Sequence, residues 1–242
     1  MSNSMIFQRY EIKYMLTTSQ RDLLLETMQA RMIPDIHGKS TICSLYFDTP
    51  DHLLIRRSLE HPLYKEKLRV RSYGTARKNT EVFIELKKKY KKIVYKRRIG
   101  MTEAQAKRYL LHGESIKQTQ ISKEIDYCMK QYQNLLPSMM LSYEREAYYD
   151  KNDPDFRMTF DTSILWRTDH LSLCDGIFGE PLLAPHQVLL EVKTAQSIPL
   201  WLTDFLSANH IYKTSFSKYG TAYQTYCKRQ TTKTHSPKAY AV

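Results

Sequence analysis

Glycine is scarce in this chain, seven among 242 residues, and that scarcity argues against a backbone cradle for phosphate. A P-loop needs a glycine well ahead of its Gly-Lys pair, and Gly38-Lys39 has none there. Cysteine is rarer still. Cys43, Cys128, Cys174 and Cys227 lie far apart with no CxxC spacing, so neither a zinc knuckle nor a disulfide framework is indicated. The expectation is a reduced, cytoplasmic protein with its cysteines in the core. Long apolar runs are missing too. Val188-Leu189-Leu190 is among the longest, far short of the roughly 20 residues of a membrane span. The first fifteen residues carry Arg9, Glu11 and Lys13 where a signal peptide needs an apolar stretch. The eight histidines show no ligand or triad spacing. No Pro-, Gly- or Ser-rich linker and no internal repeat divides the chain, which predicts one domain over residues 1–230 and a flexible polar tail over 231–242.

Acidic residues are the remaining shortage: 25 against 37 basic ones leave a formal charge of +12. With 42% hydrophobic and 12% aromatic residues the chain can offset its conformational entropy, which excludes wholesale disorder. The positive surplus implies an anionic partner: nucleic acid, an acidic membrane face or phosphorylated small molecules. Composition does not choose among them; placement does.

Strict alternation marks strands over residues 7–15, 41–47, 64–73, 81–89, 93–99, 139–149, 155–161, 165–173 and 187–193. Helical spacing and capping residues mark 18–31, 51–59, 102–111, 122–133, 199–209 and 219–229. Tyr14 reads as exterior packing and Asp48 as the cap of the helix that follows it. The polar sides of the strands are heavily cationic: Arg9/Glu11/Lys13, Arg69/Arg71, Glu85/Lys87, Lys96/Arg98, Arg145, Arg157/Asp161 and Glu191/Lys193. Their opposite sides are aliphatic, as in Leu68/Val70, Ile84/Leu86 and Leu190/Val192.

An ordinary antiparallel sheet with one wet face would show more Thr, Ser and Asn on that face. If the amphipathic helices cover the apolar sides, the charged sides face one another. The predicted fold is therefore α+β: an antiparallel β-barrel tunnel with a charged lumen, covered outside by helices. Cations in such numbers cost several kcal/mol each to bury unpaired, so the lumen must hold water and a polyanion. A phosphate chain answers to bidentate arginine and point-charge lysine. Glu11, Glu85 and Glu191 would offer hard oxygen ligands to Mg²⁺ or Mn²⁺. Because the cations alternate with aliphatics rather than stacking aromatics, nucleic acid is disfavoured. Lys88, Lys89, Lys91 and Lys92 read as a solvated turn, with contact to a phosphate chain or an acidic membrane at the exit as the alternative.

Eight stretches in order then carry a resemblance: residues 9–14 (RYEIKY), 44–49 (SLYFDT), 68–74 (LRVRSYG), 84–87 (IELK), 143–145 (YER), 157–162 (RMTFDT), 190–193 (LEVK) and 215–219 (SFSKY). Together they resemble the triphosphate tunnel metalloenzyme (CYTH-like) superfamily, specifically its VTC-type polyphosphate polymerase branch. That resemblance implies a tunnel binding ATP with a divalent metal, Mn²⁺ or Mg²⁺. It also implies transfer of the terminal phosphoryl group onto inorganic polyphosphate or pyrophosphate. Arg69, Arg71, Lys87 and Arg145 are then the expected triphosphate-holding, catalytic residues. Lys13, Lys96, Arg98, Arg157, Lys193, Ser217 and Lys218 are expected to bind phosphate, and Glu191, with Glu11 and Glu85, to bind metal. The hydrolase branches carry Glu where Arg9 stands, which tilts the expectation from triphosphatase toward polymerase. A non-catalytic polyphosphate- or RNA-binding module is the third reading. The resemblance leaves room for a separate membrane-protein partner receiving the product and for a peripheral position at the membrane.

Overall fold

Alternation and capping together produce nine strands and six helices over the residues described by the computed structural model, 10–91 and 93–234. The strands are β1 (Tyr10–Thr17), β2 (Met32–Asp48), β3 (Tyr64–Tyr73), β4 (Glu81–Tyr90), β5 (Ile93–Thr102), β6 (Leu136–Asp150), β7 (Arg157–Arg167), β8 (Glu180–Pro181) and β9 (Gln187–Thr194). The helices are α1 (Thr18–Met28), α2 (Leu53–Leu59), α3 (Glu103–His112), α4 (Gln120–Tyr132), α5 (Leu200–Ala208) and α6 (Lys218–Thr234). Arg9, Lys92 and residues 235–242 lie outside the described residues. Capping boxes set three helix starts: Thr17 with Gln20, Thr102 with Gln105, and Thr119 with Ser122. Each hydroxyl takes one of the backbone donors that a first turn leaves unpaired.

One antiparallel sheet runs in the order β1-β9-β7-β6-β2-β3-β4-β5, with β8 on β7. It curls strongly. Lys87 Nζ on β4 is 3.6 Å from Glu11 Oε2 on β1, although five strands separate β1 from β4 along the ladder. The expected closed barrel is nevertheless not formed, since no ladder joins β1 to β5 among the described residues. The edge of β1 is occupied otherwise: Tyr14 bridges Lys213, and Thr214 N donates to Lys13 O at 2.8 Å. Covering an edge with a loop satisfies its backbone groups as well as a neighbouring strand would.

The helices divide by face, which corrects the expectation that all lie outside. On the apolar, convex side, Leu24 and Met28 of α1 and Leu202, Phe205 and Leu206 of α5 pack on Tyr14, Leu16, Phe160, Leu190 and Val192. Ala106, Tyr109 and Leu110 of α3 and Ile125 and Cys128 of α4 pack on Leu68, Val70, Ile84 and Leu86. By contrast, α2 and α6 enter from the charged side, where Ile55, Tyr219 and Ala222 pack on Ile42, Tyr46, Leu141, Tyr143, Ile164 and Leu189. The strands expected over 155–161 and 165–173 are one strand, β7, which ends at Arg167, and Ser163 at φ 48° breaks its alternation. Asp161 and Ile164 consequently face the same way. The helix α6 continues to Thr234, past the expected start of a mobile tail at 231. Cys43 and Cys128 are buried, but Cys174 is exposed and Cys227 half-buried; only two cysteines belong to the core. Lys88 pairs with Glu124 at 3.3 Å and so is not free in a turn.

Asp48 ties these layers together. Its buried carboxylate accepts from Leu54 N at 2.8 Å and Ile55 N at 3.0 Å, and from Tyr219 Oη at 2.9 Å. An Asp48→Ala chain should therefore lose about 3 kcal/mol of stability, a charged cap plus a charge-assisted hydroxyl bond. Urea unfolding monitored by circular dichroism measures this; an unchanged midpoint would refute the role.

Candidate functional site

Register on the curled sheet brings side chains from eight strands and the start of α6 onto one concave face. Odd positions of β1 and β9 meet there, with Lys13 opposite Glu191 and Glu11 opposite Lys193. Arg145 of β6 lies opposite Asp161 of β7. On the other wall, Tyr46 of β2 lies opposite Arg69, Arg69 opposite Glu85, and Glu85 opposite Arg98. The period of two that buries Leu68, Val70, Ile84 and Leu86 outside forces these charges inward.

Two carboxylate hubs organise the cations. Glu85, 1% exposed, accepts from Arg69 Nε at 2.9 Å, Arg98 Nε at 2.7 Å and Lys96 Nζ at 2.8 Å, with Arg71 at 3.9 Å. Burial alone would raise its pKa, but Arg69, Arg71 and Lys96 hold it well below the carboxylate range. The second hub is the Asp161–Glu191 pair. Arg145 forks onto both oxygens of Asp161, each at 2.6 Å, and reaches Glu191 Oε2 at 3.0 Å. Lys218 Nζ lies 2.5 Å from Asp161 and 2.8 Å from Glu191. Burial works against charge at Glu191, yet Lys218, Lys13 and Arg145 keep its carboxyl well below its usual range. Burial likewise works against charge at Lys218, which these two carboxylates overcome, raising its pKa.

Glu11 links the hubs, 3.3 Å from Lys13 Nζ and 3.6 Å from Lys87 Nζ. Lys13 also lies 3.4 Å from Glu191. Against burial, Lys87 and Lys13 lower the Glu11 pKa to about 2. Between the hubs stand tyrosines: Tyr46 Oη accepts from Arg69 at 2.9 Å and Tyr143 Oη from Arg71 at 3.3 Å. The Tyr143 ring lies beneath Arg145 and Lys218, at 5.2 and 4.6 Å. Ser217 directly precedes α6, accepting from Gly220 N at 3.2 Å, and also accepts from Lys67 at 3.2 Å.

The balance stays positive. Lys13, Lys67, Arg69, Arg71, Lys87, Lys96, Arg98, Arg145, Lys193 and Lys218 face Glu11, Glu85, Asp161 and Glu191. Burial, then the neighbouring Arg145, lowers the pKa of Lys193. Arg71 Nε, Ser44 Oγ and Thr159 Oγ1 are buried polar atoms of this face with no hydrogen-bond partner among the described residues, in positions where native proteins ordinarily satisfy such groups.

Of the residues expected from sequence, Arg157 is not brought in. It is exposed at the end of β7, where its Nε donates to Pro154 O at 3.1 Å; the adjoining turn offers a nearer acceptor than the cluster does. Glu85 is set apart from the other expected metal ligands, its oxygens shared by four cations. Glu11 and Glu191 converge on one ammonium and are hard oxygen donors, the chemistry Mg²⁺ and Mn²⁺ take in ones and twos alongside substrate phosphate. Among the described residues there is no group of three His, Cys, Asp or Glu that could hold a metal ion.

Sequence reasoning passed over Asp161, Lys67, Tyr46, Tyr143 and Tyr219 as site residues. For Asp161 and Lys67 the signal was present, since each shares the parity of cations already chosen. The tyrosines carried none.

Compared with known proteins, residues 8–227 match the model of the VTC domain. Among solved structures the chain is similar to a candidate adenylate cyclase of Bacillus halodurans, at 12% identity and TM-score 0.55. It is also similar to a candidate adenylyl cyclase of Hippeastrum described as having a dominant triphosphatase activity, at 14% identity and TM-score 0.51. Each alignment covers 86% of this chain and 92% of the other. At such identities the likeness is one of fold. No curated protein matches the sequence. Among the described residues, no helix is long and apolar enough to cross a membrane.

Proposed function

Since the chain belongs to the VTC domain family, we propose that it is a polyphosphate polymerase, moving the γ-phosphoryl group of ATP onto a growing inorganic polyphosphate. The observation that carries this reading is Arg71: a buried guanidinium whose Nε has no partner among the described residues, set in a face where cations outnumber carboxylates. Such a surface is complementary to a phosphate chain gripped by side chains.

In this reading Arg69, Arg71, Lys87 and Arg145 hold the triphosphate, assisted by Lys13, Lys96, Arg98, Lys193, Ser217 and Lys218. Glu85 and Asp161 aim the arginines, since an Arg fork held on one carboxylate keeps its remaining N–H groups fixed. Glu191 and Glu11 would hold Mn²⁺ or Mg²⁺, which when bound supplies neutralisation of phosphate charge. An oxygen of the terminal acceptor phosphate forms the new bond to the γ-phosphorus as the bond from the γ-phosphorus to the β,γ-bridging oxygen breaks, and ADP leaves. The acceptor is already ionised, so the residues need supply alignment and charge stabilisation rather than a strong base.

A second reading, triphosphate hydrolysis, is favoured by the activity described for the Hippeastrum neighbour. RNA binding is not favoured by the tyrosines of this face: Tyr46, Tyr143 and Tyr219 are 7%, 4% and 2% exposed, so none of the three offers its ring to a base.

Incubating the protein with ATP and Mn²⁺ and resolving the products on a polyphosphate-stained gel separates the readings. A ladder of long chains is expected. Free phosphate without polymer would establish the second reading, and unchanged ATP would reject both.

A further inference from the structure

Where β4 turns into β5, the convex side of the sheet carries a surface of a different kind from the charged concave face. Register sets Tyr64 of β3 opposite Tyr90 of β4, and Tyr90 opposite Ile93 of β5, a row across three strands. Its parity is that of Leu68 and Leu86, which α3 and α4 cover. Here the cover runs out: Tyr64 and Tyr90 are 42% and 45% exposed. Leu63, 73% exposed, adjoins them, its carbonyl accepting from Lys91 N at 3.1 Å. On α4, Lys123, Tyr127 and Lys130 are all exposed, at a spacing that puts them on one stripe. Tyr127 stands near enough to Tyr64 to add to the rise in its pKa, after burial and Glu66. Lys91 Nζ lies 5.4 Å from the Tyr90 ring.

The charge here is one-sided. Among the described residues Lys91, Lys123 and Lys130 make no ion pair, while the nearby carboxylates are engaged inside the protein. Glu66 accepts from Tyr132 Oη at 2.8 Å and Asp126 from Tyr109 Oη at 2.5 Å, and Glu124 pairs with Lys88 and Arg97 at 3.3 and 3.0 Å. Protein interfaces favour tyrosine but are poor in lysine. An anionic bilayer surface suits both, since phenol rings sit at headgroup level and ammonium groups meet the lipid charge.

We propose that Leu63, Tyr64 and Tyr90, with the Lys123–Tyr127–Lys130 stripe of α4, form a docking face for an anionic membrane surface. The concave face lies on the other side of the sheet, so the seated protein keeps it free, whichever reaction is performed there.

Co-sedimentation of the full chain with phosphatidylcholine vesicles, with and without phosphatidylserine, tests the proposal. Binding to the phosphatidylserine vesicles alone, weakened by salt, is expected. Lys123→Ala/Lys130→Ala should weaken it about 25-fold, at about fivefold for each lysine. Tyr127→Ser, which leaves the charge unchanged, should weaken it too. Lys78→Ala/Lys228→Ala removes two exposed lysines from elsewhere on the protein and should leave binding nearly intact. Tripolyphosphate at matched ionic strength should not release the bound protein. Equal weakening in the two double variants, or none in Tyr127→Ser, would mean adsorption of a basic chain without a dedicated face. Release by tripolyphosphate would mean that lipid headgroups are held by the concave face. Either result, or a wild-type protein that ignores phosphatidylserine, overturns the proposal.

Discussion

An Arg71→Ala chain is expected to lose polyphosphate synthesis by a factor of about 10²–10³, the usual consequence of deleting one preorganised donor to transition-state charge, while keeping its fold. The separation follows from how loosely Arg71 is held. Its contacts are long, 3.9 Å to Glu85 and 3.3 Å to Tyr143 Oη, and its Nε bonds to nothing among the described residues. Glu85 keeps Arg69, Arg98 and Lys96 when Arg71 is gone, so no buried carboxylate is left unpaired. Arg69, bonded to both Glu85 and Tyr46, would confound the two effects. Initial rates with ATP, beside a thermal melt of the same preparation, decide the matter. A lost rate with an unshifted melt is the expected result, and full activity in Arg71→Ala would displace the site assignment. Arg71→Lys should recover only part of the rate, because an ammonium lacks the planar fork.

Asp161→Ala should act on the fold itself, with a loss of about 3–5 kcal/mol in folding free energy. The Asp161 carboxylate is fully buried and receives both arms of Arg145 as well as Lys218. Its removal leaves the buried Lys218 and the half-buried Arg145 with Glu191 as their shared carboxylate. Denaturant unfolding at neutral pH measures the loss; a midpoint within experimental error of wild type would show that Asp161 is not the anchor described here. Acid should weaken the wild-type fold through the same hub. Glu191 and Glu11 have folded pKa values below the ordinary 4.5, that of Glu11 about 2. Their stabilisation is therefore complete above about pH 4.5 and is lost as pH falls toward their folded values.

Much of the site was legible because a strand has a period of two. Once Leu68 and Val70 are assigned to a core, Arg69 and Arg71 have one side left to occupy, and the same holds for Glu191 between Leu190 and Val192. Lys67 obeys the same rule and needed only the alternation followed one step further. Arg157 obeys it too, yet stands at a strand end, where a long side chain is free to turn back onto the loop. Parity chooses a face; it does not choose a position along it. Glu85 was grouped with Glu11 and Glu191 by residue type alone. Which carboxylate meets which cation depends on strand order, β9 beside β1 and β7 and β4 beside β3 and β5, and local pattern is blind to that order.

From its amino-acid order alone the protein is a strand-rich chain with cationic strand faces backed by aliphatic ones, because hydrophobic burial acts residue by residue. Tertiary structure alone decided that the sheet curls without closing, since β1 spends its edge on Lys213 and Thr214. It also decided that α6 enters from the charged side, carrying Lys218 to Asp161 and Glu191 and stacking Tyr219 on Tyr46. Those contacts join residues more than a hundred positions apart in several cases. They are set by competition among whole elements for edges and faces, a competition that no window of neighbouring residues records.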